Sequence, residues 1–204
     1  MSADVIPFNP LDKKNLGASV ADALLARPAV SLGALTAFQG AGVYALYYTG
    51  RFKAYEALAK LNRAERFQMP IYVGKAVPAG SRKGGVLDAS PGQVLFKRLG
   101  EHAETVKSAT NLDLEDFHCR FLIVDDIWIP LGEALLIARF SPLWNSLIDG
   151  FGNHDPGKGR HAGTRPRWDV IHPGRAWAPR CQERKESARD IERDVTAFLA
   201  NMLA

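Results

Sequence analysis

Cysteine is scarce in this chain. Of 204 residues only Cys119 and Cys181 are cysteine, too few for a disulfide scaffold, and neither stands in a CxxC or Cys/His spacing that would hold zinc. Long apolar runs are missing too. The nearest, Ala23–Val43, is interrupted by Arg27, Pro28, Gly33 and Gln39, short of the ~18 apolar residues of a membrane span. The opening MSADVIPFNPLDKK puts acid before base and lacks the apolar core of a secretory leader. Internal repeats and low-complexity tracts are also lacking. These absences exclude membrane, secreted, collagenous and zinc-finger classes, and lead to the expectation of a cytoplasmic protein with free thiols and no membrane partner.

What is present suits one folded domain. Hydrophobic residues make up 47% of the chain and charged residues 24%, enough to build a core and too few charges for a disordered chain. Lys and Arg number 26 against 22 Asp and Glu, a formal net charge of +4. The excess is uneven. Between Gly157 and Arg180 stand Lys158, Arg160, Arg165, Arg167, Arg175 and Arg180 against the single acid Asp169, among several Gly and Pro. The window reads as irregular cationic loops able to follow a phosphate backbone; the competing reading is a solvated loop.

Periodicity outlines the elements. Residues 15–27 carry Leu16, Val20, Ala23 and Leu24 at helical spacing. Val43–Tyr48 reads as a strand closed by Thr49-Gly50. Residues 52–66, with Phe52, Tyr55, Leu58 and Leu61, read as an amphipathic helix. A short strand follows at Ile71–Val73, then a Gly- and Pro-rich loop over 77–92. Val94–Val106 reads as a helix, with Arg98 and His102 four apart on one face. Phe117–Val124 is the strongest strand signal and predicts a central strand. Pro130 suits the first turn of a helix running to Phe140, with an apolar stripe of Leu131, Ala134, Leu135 and Ala138. Glu133 lies within that helix, where a carboxylate is costly unless paired or ligated. A last helix is predicted over 182–203. The fold class is α+β.

Gly42-Val43-Tyr44 and Tyr72-Val73-Gly74 resemble the two signature pieces of the GIY-YIG nuclease superfamily. Arg98, His102, Glu133 and Asn145 follow in the order of that superfamily's catalytic series. The segments FQGAGVYALYYTG, MPIYVGKAVPAG, NLDLEDFHCRF, PLWN, DGFGNHDPGKGR and WDVIHPGRAWA resemble one branch more narrowly: the type II restriction endonucleases that cut CCGCGG, the SacII specificity. The likeness spans most of residues 38–178. From Tyr44 to Tyr72 is 28 positions, longer than the superfamily's usual hairpin, but the branch carries a similar helical insertion.

The resemblance implies a small three-stranded, mostly antiparallel sheet flanked by helices, with the inserted helix and C-terminal elaborations. It implies one domain: an N-terminal extension over 1–37, a catalytic core over 38–148, basic DNA-binding loops over 149–180 and a C-terminal helix over 181–204. It implies Mg²⁺-dependent hydrolysis, with Mn²⁺ as a substitute, by a bacterial homodimer acting on double-stranded DNA; a methyltransferase would act at the same site. Glu133 is then the metal ligand. Arg98 stabilises developing charge, Tyr44 is the candidate base, and His102 supports it. Tyr72 holds phosphate or water, and Asn145 orients the phosphate or braces the Glu133 region. Lys75, Lys158, Arg160, Arg165, Arg167 and Arg175 are candidate DNA contacts. Bland roles compete: core-edge tyrosines, a solvated Arg98, a C-cap at Asn145, a Glu133–Arg98 ion pair. His154 and His172 stay open between DNA contact and structure. A repair or homing nickase and a non-catalytic DNA-binding protein of the same fold are the rival functions.

Overall fold

A computed structural model describes residues 9, 11–78, 91–155, 157 and 162–203. The first helix, α1 (Lys13–Leu25), starts where the Asp12 carboxylate accepts a hydrogen bond from the Lys14 N–H, a side-chain N-cap. Four strands follow at intervals along the chain: β1 (Val30–Ser31), β2 (Gly42–Tyr48), β3 (Tyr72–Ala76) and β4 (Phe117–Ile123). They form one antiparallel sheet in the order β1-β4-β2-β3. The three strands expected are present, and β1 is a fourth. It is two residues long and carries little alternation to be read from sequence.

All seven residues of β2 are buried, because helices cover both faces of the sheet. Tyr44, Leu46 and Tyr48 face a layer built from α3 (Val94–Ser108), α5 (Leu143–Ser146), α6 (Arg167–Ile171) and α7 (Ala188–Met202). Val43, Ala45 and Tyr47 face α1 and α4 (Ile129–Phe140). A side chain as fully buried as Leu99 contributes about 1.5–3 kcal/mol. β3 is the outer strand on the second tyrosine's side, so whatever it carries is held by β2 on one flank only.

Several boundaries differ from the sequence reading for physical reasons. The helix expected over 52–66 is a 3₁₀ turn, Lys53–Tyr55, leading into α2 (Glu56–Asn62). It stops because the Asn62 amide leaves the helical pattern: it donates to the Tyr48 and Met69 carbonyls and accepts from the Met69 N–H. Ala64, Glu65 and Phe67 then take positive φ. In α4 the expected stripe is offset. Ala134 and Ala138 face solvent, while Ile129, Gly132 and Leu136 are buried. The last helix begins at Ala188, six residues later than expected, where Ser187 and Asp190 form a reciprocal capping box. Residues 79–90 of the expected loop lie outside the described residues.

The basic window is largely folded inward, which corrects the expectation of free loops. Arg175 is 6% exposed. Its guanidinium grips both oxygens of the buried Asp169 at 2.6 and 2.5 Å. It also donates to the carbonyls of Gly150, Phe151 and Asn153 at 2.9, 3.4 and 2.9 Å. The indoles of Trp168 and Trp177 lie 4.6 and 4.7 Å from it. Arg167 pairs with Glu186 and, at 2.6 Å, with Asp194. Neither guanidinium is presented to DNA. Arg165 is half-buried, its Nε on the Ala178 carbonyl. Lys158 and Arg160 lie outside the described residues.

Removing one partner of a buried pair leaves the other charge uncompensated. Arg175→Ala is therefore expected to cost ~3–5 kcal/mol of unfolding free energy. Arg180→Ala, on the surface, should change it by less than ~0.5 kcal/mol. Urea melts of the two variants check this. Equal, small losses would show that Arg175 is not a structural anchor.

Candidate active site

Two glycines let the two tyrosines meet. Tyr44 on β2 stands directly across from Gly74 on β3. A Cβ on Gly74 would overlap the Tyr44 phenol oxygen, so the ring can lie across β3 only because the third letter of Tyr72-Val73-Gly74 has no side chain. Likewise a Cβ on Gly42 would overlap the Leu122 carbonyl of β4. The two rings end with centroids 6.3 Å apart.

α3 closes the cluster from above. Its buried face delivers His102, whose Nε2 lies 2.6 Å from the Tyr44 hydroxyl. Phe151 stacks on the imidazole at 4.6 Å and 13°, and the Tyr72 ring meets it edge-on at 5.3 Å. One turn earlier on α3, Arg98 Nη1 donates to Glu101 at 2.9 Å and lies 3.0 Å from His154 Nε2. Arg98 Nη2 donates to the Gly152 carbonyl at 3.2 Å. The expectation that Arg98 and His102 share a face holds.

Glu133 comes from α4, on the other side of the sheet. Lys75 pairs with Val43 in register and so points to that side. Its ammonium sits 2.6 Å from the Glu133 carboxylate, with side chains 33% and 20% exposed. Glu133 is thus paired with Lys75 and not with Arg98. Because β3 is the outer strand, the carboxylate still lies near enough to raise the pKa of both phenols. Asn145, on α5, accepts from the Val73 N–H and donates to the Val73 carbonyl, both at 2.8 Å. It supplies an edge strand with the pairing a further strand would give. It braces β3 itself, between Tyr72 and Lys75.

Burial dominates the ionisation of the cluster. It pushes the Tyr44 hydroxyl far above the usual phenol range; Tyr72 adds to this and Arg98 opposes it. Burial also holds His102 well below the usual imidazole range, with the Arg98 charge next. Tyr44 and His102 are therefore both neutral at pH 7, and one proton is shared along their hydrogen bond. The cations expected to lower Tyr44 do not prevail in this state: Arg98 acts on it by charge and by hydrogen bond, but burial outweighs both, and Lys75 is paired with Glu133.

Sequence reading passed over two contributors, Phe151 and Gly152, and left a third, His154, open. Phe151, Gly152 and His154 belong to the DGFGNH segment, which gave a family signal but no stated role for the first two. His172, left open, is structural: it is fully buried between Tyr55 at 2.7 Å and Asn111 at 2.9 Å, and burial takes its pKa down to about 3. His118 lies on β4, its ring 4.9 Å from Phe67. Among the described residues no three His, Cys, Asp or Glu side chains gather as a metal site. Glu133 alone fits a hard cation that takes one carboxylate and completes its shell with water and phosphate oxygens, as Mg²⁺ does.

A helix-flanked antiparallel sheet, two tyrosines on adjacent strands and an Arg/His helix above them define a GIY-YIG nuclease domain. The family model described as the Eco29kI GIY-YIG domain matches residues 36–199, and the chain belongs to that restriction-endonuclease family. No curated protein matches the sequence. Among the described residues no helix is long and apolar enough to cross a membrane.

All five tyrosines of the chain have raised pKa values, burial being the largest cause for each; Tyr48 is pushed up to about 12. An unfolded phenol titrates near pH ~10. The folded state thus keeps protons that the unfolded state loses. Its stability is expected to be intact below pH ~10 and to fall as pH rises beyond it. Phenolate absorbance should accordingly appear together with the loss of tertiary structure. Full phenolate signal at pH ~10 in a protein whose circular dichroism is still native would contradict the burial.

Proposed function

We propose that this nuclease is a type II restriction endonuclease. It hydrolyses double-stranded DNA with Mg²⁺, for which Mn²⁺ substitutes, at the GC-rich palindrome CCGCGG, leaving 5′-phosphate and 3′-hydroxyl ends. The observation that carries the chemistry is the buried Tyr44–His102 bond with Arg98, Tyr72 and Glu133 around it. The palindrome and the homodimer come from the branch resemblance, since a two-fold site is matched most simply by a two-fold protein with one active site per strand.

Each residue then has a task set by its surroundings. Arg98 offers a planar fork to the phosphate and to the charge that builds on it. A phosphate oxygen must compete there with Glu101 and His154. Tyr44 takes the proton of the attacking water once its own hydroxyl proton has passed along their hydrogen bond to His102 Nε2, so that the imidazole carries the positive charge beside it. Tyr72 orients water or phosphate. Glu133 would hold the cation, with Lys75 as its counter-charge until then. Mg²⁺, when bound, would supply stabilisation of the negative charge that builds on the phosphate. Asn145 keeps β3 in place. Guanine edges in the major groove are read by arginines, for which Arg160 and Arg165 remain, with Lys158 as a phosphate contact. A cytoplasmic location beside a methyltransferase acting at the same sequence completes the proposal.

Plasmid of known sequence should give discrete fragments with Mg²⁺ and none with a chelator. Glu133→Gln keeps volume and removes charge. It is expected to lose cleavage by about 10²–10³-fold or more while still retarding the same fragment in a gel with Ca²⁺. Near-wild-type cutting by the pure variant would remove Glu133 from the site. Intact plasmid after wild-type incubation with Mg²⁺ or Mn²⁺ would overturn the functional reading.

A further inference from the structure

On the proposed function the proton that leaves Tyr44 has a costly destination. The Tyr44 O–H bond breaks, an N–H bond forms at His102 Nε2, and a buried imidazolium then stands beside a phenolate. The imidazole is 1% exposed. Burial disfavours its charged form, and Arg98 and then His154 add to this. The titratable and charged groups that face it are Tyr44 from β2, Tyr72 from β3, Arg98 one turn earlier on α3, and His154. Among the described residues no carboxylate bonds to the ring to offset the charge.

What covers the imidazole is the face of Phe151. The two rings lie nearly parallel, with centroids 4.6 Å apart and planes at 13°, and Phe151 is itself 1% exposed. The face of a benzene ring is the negative end of its quadrupole. A cation within ~6 Å of the centroid is attracted to it, most strongly where water is excluded. The ring is also held against turning away. Trp144 packs on it at 4.4 Å and Trp168 at 5.6 Å. Its own carbonyl and those of Gly150 and Asn153 accept from the buried Arg175 guanidinium.

We propose that Phe151 is a positioning residue that acts through His102: its π face stabilises the imidazolium that forms when His102 takes the Tyr44 proton, and so makes Tyr44 a stronger base. The inference rests on the nuclease reading and deepens it. The attraction is larger for the imidazolium than for the neutral imidazole. It therefore grows as the charge develops, and it speeds the chemical step without tightening the hold on DNA. Packing and charge stabilisation make different demands on the ring. Packing needs only its volume, whereas charge stabilisation needs the electron density of its face.

The test places mono-, di- and trifluorinated phenylalanine at position 151 of the full-length protein by nonsense suppression. Fluorine nearly keeps the shape of the ring and withdraws electron density from its face in steps. Single-turnover cleavage of a duplex carrying the mapped site, with Mg²⁺ and saturating protein, should slow with each fluorine, by about 3- to 30-fold in the trifluorinated protein. Affinity for the same duplex in Ca²⁺ and the melting temperature should stay close to wild type. Phe151→Leu, which fills space without a π face, should be at least as slow as the trifluorinated protein. If the wild type cuts and the rate is flat along the fluorine series, Phe151 only packs and the inference fails, while the nuclease reading stands. A rate that falls only in step with the melting temperature would overturn it as well. If the wild type does not cut, the nuclease reading has failed, and this one with it.

Discussion

A phenol with no exposure to water has to find its partner inside the protein, and for Tyr44 that partner is His102 at 2.6 Å. The rest of the site is arranged around this bond. Gly74 leaves room for the ring. α3 holds the imidazole, Phe151 stacks on it, and Arg175 fixes the turn from which Phe151 comes. Two strands, one helix and a distant loop thus meet at a single hydrogen bond, and a shift in any of them would leave a buried polar atom unpaired.

Charge is balanced around that bond before any substrate arrives. Arg98 is bonded to Glu101 and the Gly152 carbonyl, and Lys75 neutralises Glu133. Burial keeps Tyr44 and His102 neutral. On the proposed function, DNA brings the charge that reorganises this balance. A phosphate would displace the weaker partners of Arg98, and Glu133, if it held a cation, would release Lys75. On that reading the Tyr44 proton would leave only with polyanion and cation both in place.

Much of the core was legible from sequence because its signals are local. A β-branched and aromatic run marked β2, a mostly apolar run marked β4, helical spacing marked α3, and Arg98 and His102 do share a face. The two tyrosine motifs were visible as strings, but their glycines gain meaning only from the register that sets Gly74 against Tyr44. Long-range pairings were not legible. Nothing in the chain near Glu133 tells that its partner is Lys75 and not Arg98. Nothing near Asn145 tells that it clips the Val73 backbone. The basic window misled because composition counts charges without counting their partners. Asp169 lies six residues before Arg175, and Glu186 and Asp194 lie further on than Arg167, so the window looked more cationic than the folded surface is. The strand β1 is too short to carry a pattern, and α2 ends by side-chain hydrogen bonds that no periodicity reports.

Whether Tyr44 is a catalytic base or a core tyrosine is decided most directly by single-turnover cleavage of a mapped site, wild type against Tyr44→Phe, across pH. Phenylalanine keeps the buried ring and removes only the hydroxyl that meets His102. Loss of general-base help is worth ~10²–10⁴-fold, so the variant should be slower by about that factor. Its rate should also lose the wild type's rise with pH, while its circular dichroism and DNA affinity stay close to wild type. Cleavage by Tyr44→Phe at the wild-type rate and with the wild-type pH dependence would contradict the assignment and leave Tyr44 a structural residue.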